Sequence, residues 1–171
     1  VPLYDALTML QHRGQDAAGV VTSNGNKLHL KKGNGLLSNV FGEGSVQSLP
    51  GTMGVGHVRY PTAGSASSAA APPFYVNSPF GLVLGHNGNL TNSAALKREL
   101  FDSDRRHINT GSDSEVLLNV LAHELDRSAS YRLTPDHLFD AVETVHRRCA
   151  GAYAVVGLIA GHGVFAFRDP N

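Results

Sequence analysis

The sequence has no tryptophan and one cysteine, Cys149, in 171 residues. A single thiol excludes a disulfide framework within the chain and a metal site built from several cysteines. It suits a reducing compartment, and a cytoplasmic location is the expectation. Neither sign of charge is in excess: 14 Lys and Arg meet 14 Asp and Glu, a formal net charge of +0. That balance argues against nucleic-acid binding, which shows a basic surplus or stripe, and against an acidic disordered tail. Long apolar runs are missing too. The longest, 152–167, carries His162 and three glycines, whereas a membrane-spanning helix needs about 20 apolar residues. Neither nucleic acid nor a membrane is an expected partner.

What is present fits one globular domain over 1–171. Hydrophobic residues make up 42% of the chain, enough for a real core at this length. The 19 glycines fall in short runs without a period, which reads as turns and close backbone approaches. The start, Val1-Pro2, shows neither a signal-peptide pattern nor a Met, so an internal fragment is expected.

Apolar spacing at Leu3, Ala6, Leu7 and Leu10 predicts a helix over 2–12, ended by Gly14. Strands are expected at 17–22 and 28–32 around Asn24-Gly25, a hairpin signal. A buried strand is expected over 51–59, then a long loop over 60–73 with three prolines. Strands at 74–77 and 82–85 precede a helix at 92–101. Ser112 and Glu115 have capping-box spacing for a second helix, and Thr134-Pro135 opens a third. Strands near 152–159 and 164–168 close the chain. Strands at both ends with helices between predict a layered α+β or α/β fold, with antiparallel sheets and helices packed outside.

Three loop clusters could carry chemistry. Arg59 ends a strand, and its planar fork of donors suits a carboxylate. Thr62 could add a hydroxyl. The competing reading is a solvated strand-end arginine. In His86-Asn87-Gly88-Asn89, Asn and Gly suit a turn. Equally, the Asn87 amide and Gly88 N–H could converge on a developing oxyanion. Asp113 in the first turn of its helix is favoured by the helix dipole; alternatively it anchors an ammonium. Arg59 and Asp113 together would match both charged ends of a free amino acid. Cys149 reads as a packed or surface thiol, since nothing near it supplies an oxyanion hole. His123-Glu124 lacks a second zinc-binding histidine, and Arg105-Arg106 reads as a solvated pair.

Taken together, these segments resemble the glutaminase domain of class II glutamine amidotransferases, which are N-terminal-nucleophile hydrolases. The matching stretches are Leu10 to Gly19, Gly56-His57-Val58-Arg59-Tyr60-Pro61-Thr62-Ala63-Gly64, Asn77-Ser78-Pro79, and His86 to Asn92. Ser112-Asp113-Ser114-Glu115, Gly151-Ala152-Tyr153 and Phe167 to Asn171 complete the series in family order. Pro61 and the Asn89-Leu90-Thr91-Asn92 tail favour the members that join this domain to a phosphoribosyltransferase domain in purine synthesis. Sugar-phosphate amidotransferases typically carry tryptophan in the arginine segment, and this chain has none.

The resemblance implies a four-layer αββα sandwich and a set of roles. Arg59 and Thr62 would hold the α-carboxylate of glutamine and Asp113 its α-amino group. Asn87 and Gly88 would form the oxyanion hole. Residues 60–70 would close over the substrate, and Arg13 would order the nucleophile's surroundings. The family nucleophile is an N-terminal cysteine whose α-amino group is the base. Here Val1 aligns inside the first helix, so the first strand and that cysteine are expected outside these residues, and the fragment alone is expected to be inactive. No cofactor is implied for this domain; Mg²⁺ would serve the phosphoribosyltransferase domain, and a homo-oligomer is expected. The alternatives are a glutaminase domain serving another acceptor, and a module that binds glutamine without hydrolysing it.

Overall fold

The computed structural model describes residues 2–25, 27–42, 44, 48–60, 67–128 and 132–171. Helix α1 (Pro2–Leu10) runs into a 3₁₀ turn at Gln11–Arg13. Strands β1 (Ala17–Asn24) and β2 (Lys27–Asn34) form the expected hairpin, longer at both ends than the apolar pattern suggested, and α2 (Leu37–Val40) follows. Strand β3 (Met53–Arg59) completes an antiparallel sheet of order β2-β1-β3. The second sheet, β4-β5-β6-β7, consists of β4 (Phe74–Val76), β5 (Leu82–Leu90), β6 (Gly151–Ile159) and β7 (Gly163–Arg168). Helices α3 (Ser93–Asp104), α4 (Asp113–Ser128) and α5 (Pro135–Arg148) lie between β5 and β6 in sequence.

Alternation along the strands sorts side chains into layers. Ala18 and Val20 of β1 pack with Leu7 of α1 and with Leu37 and Phe41. Val21, from the other face of β1, meets Val55, Val83 and Leu158 between the sheets. Leu82 and Leu84 of β5 face the largest apolar cluster, shared with Leu117, Leu121 and Leu125 of α4. The order is therefore helix, sheet, sheet, helix: an αββα sandwich with antiparallel sheets. No helix among the described residues is long and apolar enough to cross a membrane.

Three expectations need correction. Strand β3 is not buried; only Val55 is, because β3 lies at the sheet edge and pairs with β1 alone among the described strands. The close approach its glycines suggested does occur, since a Cβ on Gly56 would stand 2.6 Å from Leu7 Cδ1. The segment His86–Asn89 is no turn. It continues β5 in register with β6, with Asn87 opposite Ala154 and Gly88 opposite Tyr153. Glu115 does not close a capping box on Ser112; its carboxylate accepts from the N–H groups of Asn109 (2.9 Å) and Thr110 (2.7 Å). The α5 start holds as read, with Thr134 as N-cap and Pro135 in the first turn. Residues 61–66 of the long loop lie outside the described residues.

Candidate functional site

A cavity of about 820 Å³ opens where the ends of β3 and β5 meet the start of α4. It is lined by Arg13, Arg59, Asn87, Gly88 and Asp113 among others. Four separate sequence segments thus deliver their candidate residues to one concavity. Thr62 lies outside the described residues.

Arg59 is the last residue of β3, and its fork is pre-set. Nε and Nη2 donate to Asp16 Oδ2 at 3.2 and 2.6 Å, and Nη1 donates to the Ala70 carbonyl at 2.6 Å. The Arg59 side chain is 14% exposed, so the solvated strand-end reading does not hold. A guanidinium has five N–H donors; three are engaged among the described residues, which leaves two for a further acceptor. Asp16 and Arg59 also share a backbone bond, Asp16 N–H to Arg59 carbonyl at 3.0 Å.

Along β5, alternation turns His86 toward α4 and Asn87 to the opposite face, where its side chain is exposed. Gly88 has φ +147, and a Cβ there would stand 2.1 Å from the Ala152 carbonyl oxygen. Only glycine fits this left-handed, crowded position. The arrangement leaves backbone exposed at the cavity wall beside the Asn87 amide.

Asp113 opens α4. Its Oδ2 accepts from Leu90 N–H at 2.9 Å, while Oδ1 lies 3.8 Å from His86 Nδ1. His86 is buried, with Nδ1 2.9 Å from Ser114 Oγ and Nε2 without a partner among the described residues. Burial lowers its pKa, against the pull of Asp113. His57, also lining the cavity, is pushed down to about 4 by burial, with His86 and Arg59 adding to the effect. Both shifts favour the neutral imidazole, so the fixed charges lining the cavity are those of Arg13, Arg59 and Asp113. An 820 Å³ space lined by two arginines, one carboxylate and an amide beside exposed backbone suits a small zwitterion.

The other singled-out residues are accounted for elsewhere. Cys149 is buried, and burial raises its thiol pKa to about 12, the reverse of an activated nucleophile. His123 pairs with Asp104, and Glu124 with Arg148. Arg105 is the left-handed C-cap of α3, but Arg106 pairs with Asp104 at 3.1 Å, so the pair is not simply solvated. Sequence reasoning gave Asp16, His57 and His86 no role. Their contacts are long-range, and no spacing rule connects positions 16 and 59.

None of the protein-family models matches the chain. It is 62% identical over 169 residues to the amidophosphoribosyltransferase of Pseudomonas aeruginosa and 58% identical over 170 residues to that of Escherichia coli. Both matches take in 99% of this chain and 34% of the relative, so the chain spans about a third of their length. Among solved structures it is similar to glutamine phosphoribosylpyrophosphate amidotransferase from B. subtilis, complexed with ADP and GMP. There the TM-score is 0.79 at 34% identity, over 98% of this chain and 34% of that one. Over nearly its whole length, in sequence and in fold, the chain is similar to about a third of these amidophosphoribosyltransferases and carries their N-terminal-nucleophile glutamine amidotransferase fold.

Proposed function

We propose that these residues form the glutamine pocket of a glutaminase domain, whose ammonia a phosphoribosyltransferase domain of the same protein uses in purine synthesis. The observation that carries this reading is the convergence of Arg59, Asn87, Gly88 and Asp113 on one cavity. The two N–H groups of Arg59 not engaged among the described residues bind the α-carboxylate of glutamine, helped by Thr62, and Asp113 binds the α-ammonium. This leaves the side-chain amide at Asn87 and Gly88.

The reaction then follows from charge. A thiolate adds to the amide carbonyl carbon, and the electron pair moves onto oxygen. The Asn87 side-chain amide and the Gly88 N–H stabilise that oxyanion, the kind of contact worth about 10²–10³ in rate. Collapse expels ammonia, with its proton returned from the base, and leaves a γ-glutamyl thioester. Water hydrolyses the thioester to glutamate. The nucleophile in this reading is an N-terminal cysteine outside the 171 residues, with its own amine as base; Arg13 orders its surroundings. Buried Cys149 does not fit that role. By themselves the 171 residues are therefore expected to release no ammonia from glutamine.

In the acceptor half, ammonia displaces pyrophosphate from phosphoribosyl pyrophosphate to give phosphoribosylamine. Mg²⁺ belongs to that half. Among the described residues Asp113 is the only carboxylate lining the glutamine cavity, and its Oδ2 already accepts from Leu90 N–H, so the lining offers no cluster of oxygen ligands for the ion.

The test is to incubate the full-length protein with a diazo-ketone analogue of glutamine and map the adduct by peptide mass spectrometry. An adduct on an N-terminal cysteine, suppressed by glutamine, supports the reading. An adduct on Cys149, or none, overturns it.

A further inference from the structure

Lys32 stands opposite Gly19 in the β1–β2 ladder, and Gly19 in turn stands opposite His57 of β3. A Cβ on Gly19 would lie 2.1 Å from the Pro72 carbonyl oxygen and 2.9 Å from Pro73 Cδ. The missing side chain thus lets the segment ahead of β4 lie directly on the first sheet. Lys32 Nζ donates there to three carbonyls: Ala69 at 3.1 Å, Ala71 at 2.6 Å and Pro73 at 3.5 Å. It also sits 5.0 Å from the centroid of the Phe74 ring. An ammonium has three N–H donors, and all three point into this one stretch of backbone. Of the two carbonyls in between, Pro72 lies over Gly19 and Ala70 accepts from Arg59 Nη1 at 2.6 Å.

Two cations from different strands therefore grip alternate carbonyls of the same short segment. Ala70 lines the cavity; Lys32 does not. Burial lowers the Lys32 pKa, with Glu115 opposing and Arg59 adding to the effect.

We propose that Lys32 is a positioning residue for the glutamine pocket: by clamping the carbonyls of Ala69, Ala71 and Pro73 it holds the Ala70 carbonyl where it orients the Arg59 fork toward the substrate carboxylate. This rests on the glutaminase reading above. A lysine that merely stapled the fold would affect stability and every activity alike. One that sets the Arg59 fork affects glutamine binding first.

The experiment compares the full-length enzyme with Lys32→Met and Lys32→Arg, measuring glutamine-dependent and ammonia-dependent product formation. Lys32→Met keeps the apolar stem over Phe74 and removes the donors. The expected result is a KM for glutamine raised about tenfold, equivalent to about 1.4 kcal/mol, with kcat and the ammonia-dependent rate little changed. Lys32→Arg, which keeps charge and donors, should recover most of the affinity. An unchanged KM in Lys32→Met overturns the proposal. So does a parallel fall in both activities in Lys32→Met and Lys32→Arg, which marks a fold-wide role. Failure of the glutaminase reading looks different, because the unmodified enzyme would then use ammonia but not glutamine.

Discussion

The Asp113 carboxylate accepts the Leu90 backbone N–H at 2.9 Å, which ties the first residue of α4 to the last residue of β5, two positions beyond Gly88. The group proposed to bind the ammonium and the pair proposed to bind the oxyanion are thereby held in one frame. Asp113→Asn keeps an acceptor for Leu90 and removes the charge. In the full-length enzyme we expect the KM for glutamine to rise about 10- to 100-fold, in line with about 1.5–3 kcal/mol for a hydrogen bond to a charged group. The ammonia-dependent rate should be unchanged. Steady-state kinetics with each nitrogen donor checks this, and an unaltered KM removes Asp113 from the site.

Asp16 acts on Arg59 from the far side. Asp16→Asn weakens the 2.6 Å contact to Nη2 without touching the cavity lining. The expected outcome is a fall of about tenfold in kcat/KM for glutamine, the size of one charged hydrogen bond, expressed mainly in KM. Arg59→Lys should cost more, because an ammonium cannot reproduce the fork. If Asp16→Asn leaves kcat/KM intact, Arg59 is oriented by Ala70 alone.

Asn87 and Gly88 should separate by stability. Asn87 is exposed, so Asn87→Ala should lower kcat by about 10²–10³ with little change in Tm. Gly88→Ala forces a Cβ to within 2.1 Å of the Ala152 carbonyl oxygen at φ +147. It should lower Tm as well as activity, with at least about 1–3 kcal/mol from backbone strain. Thermal melts alongside kcat decide whether the two behave differently.

Cys149→Ala tests the competing thiol. With a pKa near 12 in a buried position, the side chain should not react with iodoacetamide at about pH 7.5, where the thiolate is the reactive form, until the protein unfolds. The substitution should leave glutamine-dependent kcat within about twofold and lower stability by about 1–2 kcal/mol, the lower end for truncating a buried side chain. Loss of activity without loss of fold would make Cys149 the nucleophile.

Acid should destabilise the fold through His57. Its pKa is about 4 in the folded protein against about 6.5 in an unfolded chain. Between those values the unfolded chain binds a proton that the folded one does not. The stabilisation from neutral His57 is therefore complete above about pH 6.5 and lost as pH falls toward about 4, with a slope up to about 1.4 kcal/mol per unit. His86 is shifted in the same direction. Replacing His57 by Gln should flatten the dependence of Tm on pH over that range; an equally steep profile would assign the acid sensitivity elsewhere.

Local order is written in the sequence itself. The period of Leu3 and Leu7, the Asn24-Gly25 turn and the Thr134-Pro135 start each depend on neighbours within a turn or a hairpin, and all three hold. The chemical types at 59, 87, 88 and 113 are likewise legible there, because carboxylate, ammonium and oxyanion each demand a particular donor or acceptor. Tertiary structure decided the rest. Residues 86–89 became strand because β6 offered partners for their backbone groups, which outweighed the turn preference of Asn and Gly. Glu115 bonded Asn109 and Thr110 because the loop ahead of α4 brings their N–H groups within reach. Arg59 owes its orientation to Asp16, 43 positions earlier, and the Ala70 carbonyl lies beside the three held by Lys32. Such contacts arise from strand register and layer packing, which bring together residues whose separation along the chain carries no signal.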